Sequence, residues 1–252
     1  MNRLERDLYE LLSITAPSGM ERPVADYLIR RLKRVVDRVD QDDYGNVVAE
    51  AQFGSGTGPA ILLCAHMDTV WVDPERAIIR QGGIWSSSSG PLGADDRAGI
   101  AIILDVLRKL AGDASFQGRI KLAFTREEEI GRIGSNRIDL SWLTDVELCI
   151  VIDRRGSRDI VVRNSGMSFC DPVTGHYFET AGALCGMSDW QTVQGGLSDA
   201  VTFAGYGIPS VNLSAGYQHE HTEAEYVNVR HCQDTVNLIV QALLGLRIER
   251  AA

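Results

Sequence analysis

The sequence predicts an α/β fold with a mixed, largely parallel central sheet and helices on both faces. Three observations carry this reading. Short apolar runs alternate with amphipathic stretches along the chain, the pattern of strands joined by crossover helices. One run, Ala60–Ala65, is apolar almost without interruption, as a strand buried on both faces requires. Several predicted strands also end in His, Asp or Glu, and open α/β sheets bind ligands in the crevice outside the carboxyl ends of their strands.

Taken in order, Leu4, Leu8, Leu11 and Leu12 recur at helical spacing, and Val24, Tyr27, Leu28, Leu32 and Val35 do so again. Thr15–Gly19 between them reads as a turn, with Ser18 available to cap the second helix. Arg30–Arg34 is a basic cluster read as a solvated face near the helix C-terminus, where positive charge is favourable. Val35–Asp40 and Asn46–Gln52 form a predicted hairpin around Asp43–Asn46. Gly54–Gly58 is a flexible turn rather than a phosphate loop, because it lacks a following Lys-Ser/Thr and precedes a strand. The buried strand Ala60–Ala65 ends at His66. Cys64 faces away from its strand neighbours and is not expected to bind metal.

Ser86–Gly93, rich in Ser and Gly, leads into Ala94-Asp95-Asp96 and a helix with Ile100, Ile103, Leu104 and Leu107 on one face. No Gly-x-Ser-x-Gly elbow accompanies the serine run, so a serine nucleophile is not expected. Strand Ile120–Phe124 runs into Glu127-Glu128-Glu129, and strand Leu148–Ile152 ends at Asp153. A strand at Ile160–Arg163 and a helix at Thr180–Leu184 follow, then Gly196–Ala200, where Ser198 or Asp199 caps the next helix. Strand Ser210–Leu213 precedes a loop holding His219 and His221, and a last helix runs from about Val229 to Leu246. Without repeats or linkers, residues 1–252 read as a single catalytic domain with no separate lid or dimerisation domain.

Composition bounds the function. The 252 residues include 25 Lys+Arg and 34 Asp+Glu, a formal net charge of −9, with 44% hydrophobic and 23% charged residues. This acidity argues against nucleic acid as the main partner. No apolar run approaches the roughly 20 residues of a membrane span, and the charged N-terminal segment lacks the apolar core of a secretory signal. Five cysteines without a CxxC pair read as reduced thiols, so a cytoplasmic setting is expected.

His66 and Asp68 follow one strand, Glu128 and Glu129 a second, Asp153 a third, and His219 and His221 a fourth; Asp95 opens a helix close to the first. Imidazole and carboxylate donors suit zinc, and also manganese or cobalt. Carboxylates gathered at one place repel unless cations neutralise them. Two divalent ions sharing one carboxylate would do so and give a hydrolytic site, with a further carboxylate as general base.

Ala65-His66-Met67-Asp68-Thr69-Val70, Gly93-Ala94-Asp95-Asp96-Arg97-Ala98-Gly99, Glu128-Glu129-Ile130-Gly131, Asp153 and His221-Thr222 stand in the order seen in the di-zinc exopeptidases. The chain resembles that grouping of metallo-aminopeptidases, peptidase T-like tripeptidases, carboxypeptidases and deacylases from about Leu62 to Glu225. The resemblance implies a zinc-exopeptidase (phosphorylase/hydrolase-like) architecture. It implies that His66 and Asp153 hold one metal, Glu129 and His221 the other, and that Asp95 bridges both, with a cis peptide to Asp96. Asp68 would orient His66, and Glu128 would be the general base and acid. Glu128/Glu129 is preferred over Glu127/Glu128 because the family pattern places Gly two residues after the pair, where Gly131 stands. His221 is preferred over His219 because Thr222 and Glu225 follow it.

The lid domain of many relatives finds little room in the short stretch between Asp153 and Met187. The leading expectation is a zinc-dependent exopeptidase, an aminopeptidase acting on short peptides. An N-acyl amino acid deacylase using the same water and base is the nearest alternative. A non-catalytic relative and a single-zinc acyl cyclisation enzyme are weaker ones, because all ligand and base positions are filled. Relatives that assemble so that a neighbouring subunit restricts the site make a homo-oligomer a further expectation.

Overall fold

Successive side chains of a strand point to opposite faces, and in Ala60–His66 this divides the molecule into two cores. Ile61, Leu63 and Ala65 enter one hydrophobic cluster, while Leu62 and Cys64 enter another on the opposite face. The computed structural model describes residues 1–113 and 115–246; the last residues of the expected domain 1–252 thus lie outside the described residues. The first half runs α1 (Arg3–Leu12), α2 (Arg22–Leu32), β1 (Arg38–Gln41), β2 (Val47–Phe53), β3 (Ala60–His66), β4 (Ile78–Gln81), β5 (Ile84–Ser87), α3 (Ala94–Ala111) and β6 (Gly118–Thr125). A 3-10 turn at Ser135–Arg137 and the short α4 (Leu140–Leu143) lead to β7 (Val146–Arg154), β8 (Asp159–Arg163) and α5 (Pro172–Leu184). Then come β9 (Gln191–Gln194), α6 (Asp199–Gly205), β10 (Ser210–Ser214), β11 (Tyr217–Gln218), β12 (Tyr226–Asn228) and α7 (Val229–Gly245).

Eight strands form the central sheet in the order β1-β2-β6-β3-β7-β10-β8-β9. It is mixed and mostly parallel, as expected: β6-β3, β3-β7, β7-β10 and β8-β9 are parallel, and the remaining neighbours antiparallel. The register sets His66 opposite Thr125, Cys64 opposite Val151, and Val151 opposite Asn212. The carboxyl ends of β3, β6, β7 and β10 therefore reach the same edge of the sheet. α1, α3 and α7 cover one face, and α6 packs on β7 and β10 on the other. Among the described residues no helix is long and apolar enough to cross a membrane.

The structure departs from sequence expectation in several places. α3 is buried nearly all round rather than on one face, because the sheet, α1 and α7 enclose it together. The stretch read as a lead-in to α3 contains β5, which joins β4, β12 and β11 in a second, four-stranded sheet. Those strands are two to four residues long, too short for alternation to register. α2 ends at Leu32 and Val35 is exposed, so the following strand begins only at Arg38. Arg31 is not simply solvated: it pairs with the buried Asp7 of α1. Ser18 does not cap α2, whose N-cap is Glu21 without a side-chain hydrogen bond. α5 begins at Pro172, capped by Asp171, well before the expected Thr180.

Candidate metal centre and active-site cleft

Asp95 stands where α3 begins, and its surroundings fix its direction. Gly93 takes a left-handed backbone (φ 77) that lets the chain turn into the helix, and the Asp95–Asp96 peptide is cis. The buried Glu225 carboxylate accepts the backbone N–H groups of Gly93 (2.9 Å), Ala94 (2.7 Å) and Asp95 (3.2 Å). Held this way, Asp95 divides its carboxylate. Oδ1 lies 3.1 Å from His66 Nε2, and Oδ2 lies 3.3 Å from His221 Nε2.

Two groups of three donors form around it. His66, Asp95 and Asp153 make the first, with Asp153 Oδ1 3.7 Å from His66 Nε2. Asp95, Glu129 and His221 make the second, with Glu129 Oε1 2.9 Å from His221 Nε2. In each group the donor atoms lie within 4.8 Å of one another. Glu127 has a left-handed backbone (φ 54), and its carboxylate accepts a hydrogen bond from Tyr44 instead. His219 packs its ring on Tyr226. Cys64 points to the opposite face, against Asp199.

Asp68 supports both groups from behind. Its carboxylate lies 3.2 Å from His66 Nδ1, which also contacts the Asp68 carbonyl at 3.0 Å. It accepts the Ser18 hydroxyl (2.7 Å) and the backbone N–H groups of Glu128 (3.0 Å) and Glu129 (3.2 Å). Burial opposes its charge, but these hydrogen bonds hold it at about 2. Without cations four of the neighbouring groups, Glu128, Asp153, His221 and His66, hold their protons more tightly than usual. Burial and neighbouring Asp153 push Glu128 up to about 9, and burial and Asp95 push Asp153 up to about 7. Hydrogen bonds to Asp95 and Glu129 raise His221 to about 10. His66 is raised as well: burial works against its charge, and its hydrogen bonds to Asp153, Asp68 and Asp95 outweigh it.

All seven residues singled out from sequence meet at this edge: His66, Asp95, Asp153, Glu129 and His221 in the two groups, Asp68 behind them, and Glu128 lining the cleft. Several supports were not foreseen. Tyr217 donates to Asp153 Oδ1 at 2.9 Å. Asn212 brackets Asp153, accepting its N–H and donating to its carbonyl, each at 2.9 Å. Asp199 accepts the Thr125 hydroxyl at 2.5 Å, while Ser198 supplies the cap of α6. Ser198 is one of the two caps the sequence predicts for α6; Ser18 also carries a sequence signal, and turn chemistry favours reading it as a cap.

Imidazole and carboxylate groups, with no thiolate, converge here, and each imidazole already faces carboxylate oxygens. That donor set fits a divalent ion, whose charge would relieve the crowding that now keeps protons on Glu128 and Asp153.

A profile of peptidase family M28 matches residues 46–244. The chain belongs to peptidase family M28. It is similar to peptidase T of Vibrio cholerae, 33% identical over 138 residues, covering 41% of this chain and 33% of that one. The chain spans less than half the length of the curated relatives it matches. Its fold is similar to that of aminopeptidase PepT from Bacillus cereus, with a TM-score of 0.85 at 19% identity, covering 97% of this chain and 98% of that one. It is also similar to the TET1 peptidase of Pyrococcus horikoshii, which can assemble into a tetrahedron or a large octahedral shell; there the TM-score is 0.70 at 18% identity, over 94% and 98% of the two chains.

Proposed function

We propose that the chain is a metal-dependent aminopeptidase acting on short peptides, with two divalent ions, zinc in the first place and manganese or cobalt as alternatives. The observation that carries this reading is the divided Asp95 carboxylate, with one oxygen in each group of donors. His66, Asp95 and Asp153 would hold one ion, and Asp95, Glu129 and His221 the other. Bound there, the ions would lower the pKa of water and polarise a substrate carbonyl.

The remaining work falls to the protein's own groups. Glu128 is the general base and acid: it sits in the cleft beside Asp153, where its carboxyl is poised to hold a proton and release it to a departing amine. Asp68 keeps His66 oriented and anchors the backbone that presents Glu128 and Glu129. Asn212 and Tyr217 fix Asp153. Residues 1–252 form one catalytic domain without an inserted lid in this reading. The assemblies of the TET1 peptidase support a homo-oligomer whose neighbouring subunits restrict the cleft. Five free cysteines support a cytoplasmic setting.

Metal analysis of the purified protein and hydrolysis of leucine p-nitroanilide against N-acetyl-leucine test the reading. Divalent metal should be present, the p-nitroanilide should be cleaved, and Glu128→Gln should lower kcat by about 10²–10⁴-fold. Cleavage of N-acetyl-leucine alone points to the deacylase. No divalent metal together with unchanged activity in Glu128→Gln ends the enzymatic reading.

A further inference from the structure

The cleft beside the metal centre has a volume of about 140 Å³, and most of its charged lining is acidic: Asp95, Glu128, Glu129, Asp153 and Glu220. Two arginines, Arg154 and Arg155, follow Asp153 at the end of β7 and line the same cleft. Their commitments differ. Arg154 sets Nε and a terminal nitrogen against Asp159 Oδ2, each at 3.0 Å, so its charge is matched within the fold. The closest approach of Arg155 to Glu220 is Nε to Oε1, at 3.0 Å, with its side chain 56% exposed. Among the described residues its terminal nitrogens donate no hydrogen bond.

Glu220 is placed to hold that arginine. It lies between His219 and His221, both with left-handed backbones (φ 56 and 65), and its side chain is only 14% exposed. Its second oxygen is buried and accepts no hydrogen bond. The backbone beneath Arg155 is pinned as well: its carbonyl accepts the Ser214 hydroxyl at 3.2 Å, and Gly156 N–H donates to the Tyr217 carbonyl at 2.6 Å. The guanidinium is therefore ion-paired with Glu220 at the rim of an acidic cleft, with more than half of its side chain exposed.

We propose that Arg155, held by Glu220, is the receptor for a carboxylate of the substrate. This rests on the peptidase reading above and adds to it a specificity. A guanidinium fork binds a carboxylate through two parallel hydrogen bonds. With Asp95, Glu129 and Asp153 committed to the ions in that reading and Arg154 matched by Asp159, Arg155 is the arginine of the cleft left to meet a substrate carboxylate. The carboxylate has two sources, the free C-terminus of a very short peptide or an acidic side chain, and they are told apart by substrate.

The test uses metal-loaded wild type, Arg155→Ala and Arg155→Lys. One arm compares kcat/KM for leucyl-leucine and leucyl-leucine amide, the other for the p-nitroanilides of glutamate and glutamine. Wild type should prefer the acid in one arm by about 10- to 100-fold, the worth of a charge-assisted hydrogen-bonded pair. The ratio should fall to about one in Arg155→Ala and to an intermediate value in Arg155→Lys, which keeps the charge and loses the fork. Preference in the dipeptide arm identifies the C-terminus, and preference in the p-nitroanilide arm an acidic side chain. Calorimetric binding of uncleaved D-leucyl-D-leucine and its amide, and of D-glutamate and D-glutamine p-nitroanilides, reads the same ratios without catalysis. An absence of hydrolysis therefore counts against the peptidase reading alone. No acid preference in either arm, or a preference that survives Arg155→Ala, overturns the proposal.

Discussion

Replacing Asp68 by Asn tests how far one buried carboxylate organises the site. Its two oxygens face four donors: His66 Nδ1, the Ser18 hydroxyl, and the N–H groups of Glu128 and Glu129. Asparagine keeps one acceptor oxygen and turns the other into a donor. The least costly orientation places the amide nitrogen toward Ser18, whose hydroxyl can rotate to accept. The Glu129 N–H, 3.2 Å from that same oxygen, is then left facing a donor. One orphaned backbone N–H costs about 1–3 kcal/mol, and hydrogen bonds to an ion exceed neutral ones by roughly 1 kcal/mol. Asp68→Asn should therefore lose about 2–4 kcal/mol of stability in the chelated protein. Its metal affinity should fall about 10- to 100-fold, because His66 and Glu129 lose their orientation. Urea titration of the chelated protein and competition with a chelator measure the two quantities. Metal affinity within threefold of wild type, despite the lost stability, would refute the claim that Asp68 positions the donors.

Three further outcomes follow from particular contacts. In the chelated protein His221, Glu128 and Asp153 have pKa values raised to about 10, 9 and 7, so the native state binds more protons than the unfolded chain. Its melting temperature should fall as pH rises from about 6 to 10; His221→Ala should reduce the slope, and a flat or rising profile in wild type rejects it. Asp7 is fully buried between Arg31, Arg108 and Tyr27; Asp7→Ala should cost about 2–4 kcal/mol, less than the usual cost of a broken buried pair because both arginines can reach water. Thermal melts should show a drop of about 4–16 °C. A side chain on Gly99 would meet the Ile152 carbonyl at 2.2 Å, so Gly99→Ala should force α3 off β7 and destabilise by about 3 kcal/mol. A urea midpoint equal to wild type would contradict that packing.

The central sheet was legible because its strands are buried on both faces and read as apolar runs, Ala60–His66 most clearly. The order of His66, Asp95, Glu129, Asp153 and His221 was legible because each ligand follows a strand or opens a helix. The second sheet was not, since β4 and β5 have four residues each and only Trp85 of the eight is buried. Nor were the groups that aim the ligands. Asn212, Tyr217 and Ser18 reach Asp153 and Asp68 across 50 to 64 positions of sequence, and no local periodicity encodes a contact between side chains so far apart. The Arg155–Glu220 pair is of the same kind.

The enclosure of α3 has a dynamic consequence. A helix covered by the sheet, α1 and α7 cannot open locally without disrupting the core on its side of the sheet. Its amides should exchange with solvent only at the rate of global unfolding, and Asp95 should share that slow exchange. The loop that carries Glu128 and Glu129 and the loop that carries His219–Thr222 are more exposed and can move without it. His66, Asp95 and Asp153 thus rest on the core, while Glu129 and His221 stand on the more exposed segments.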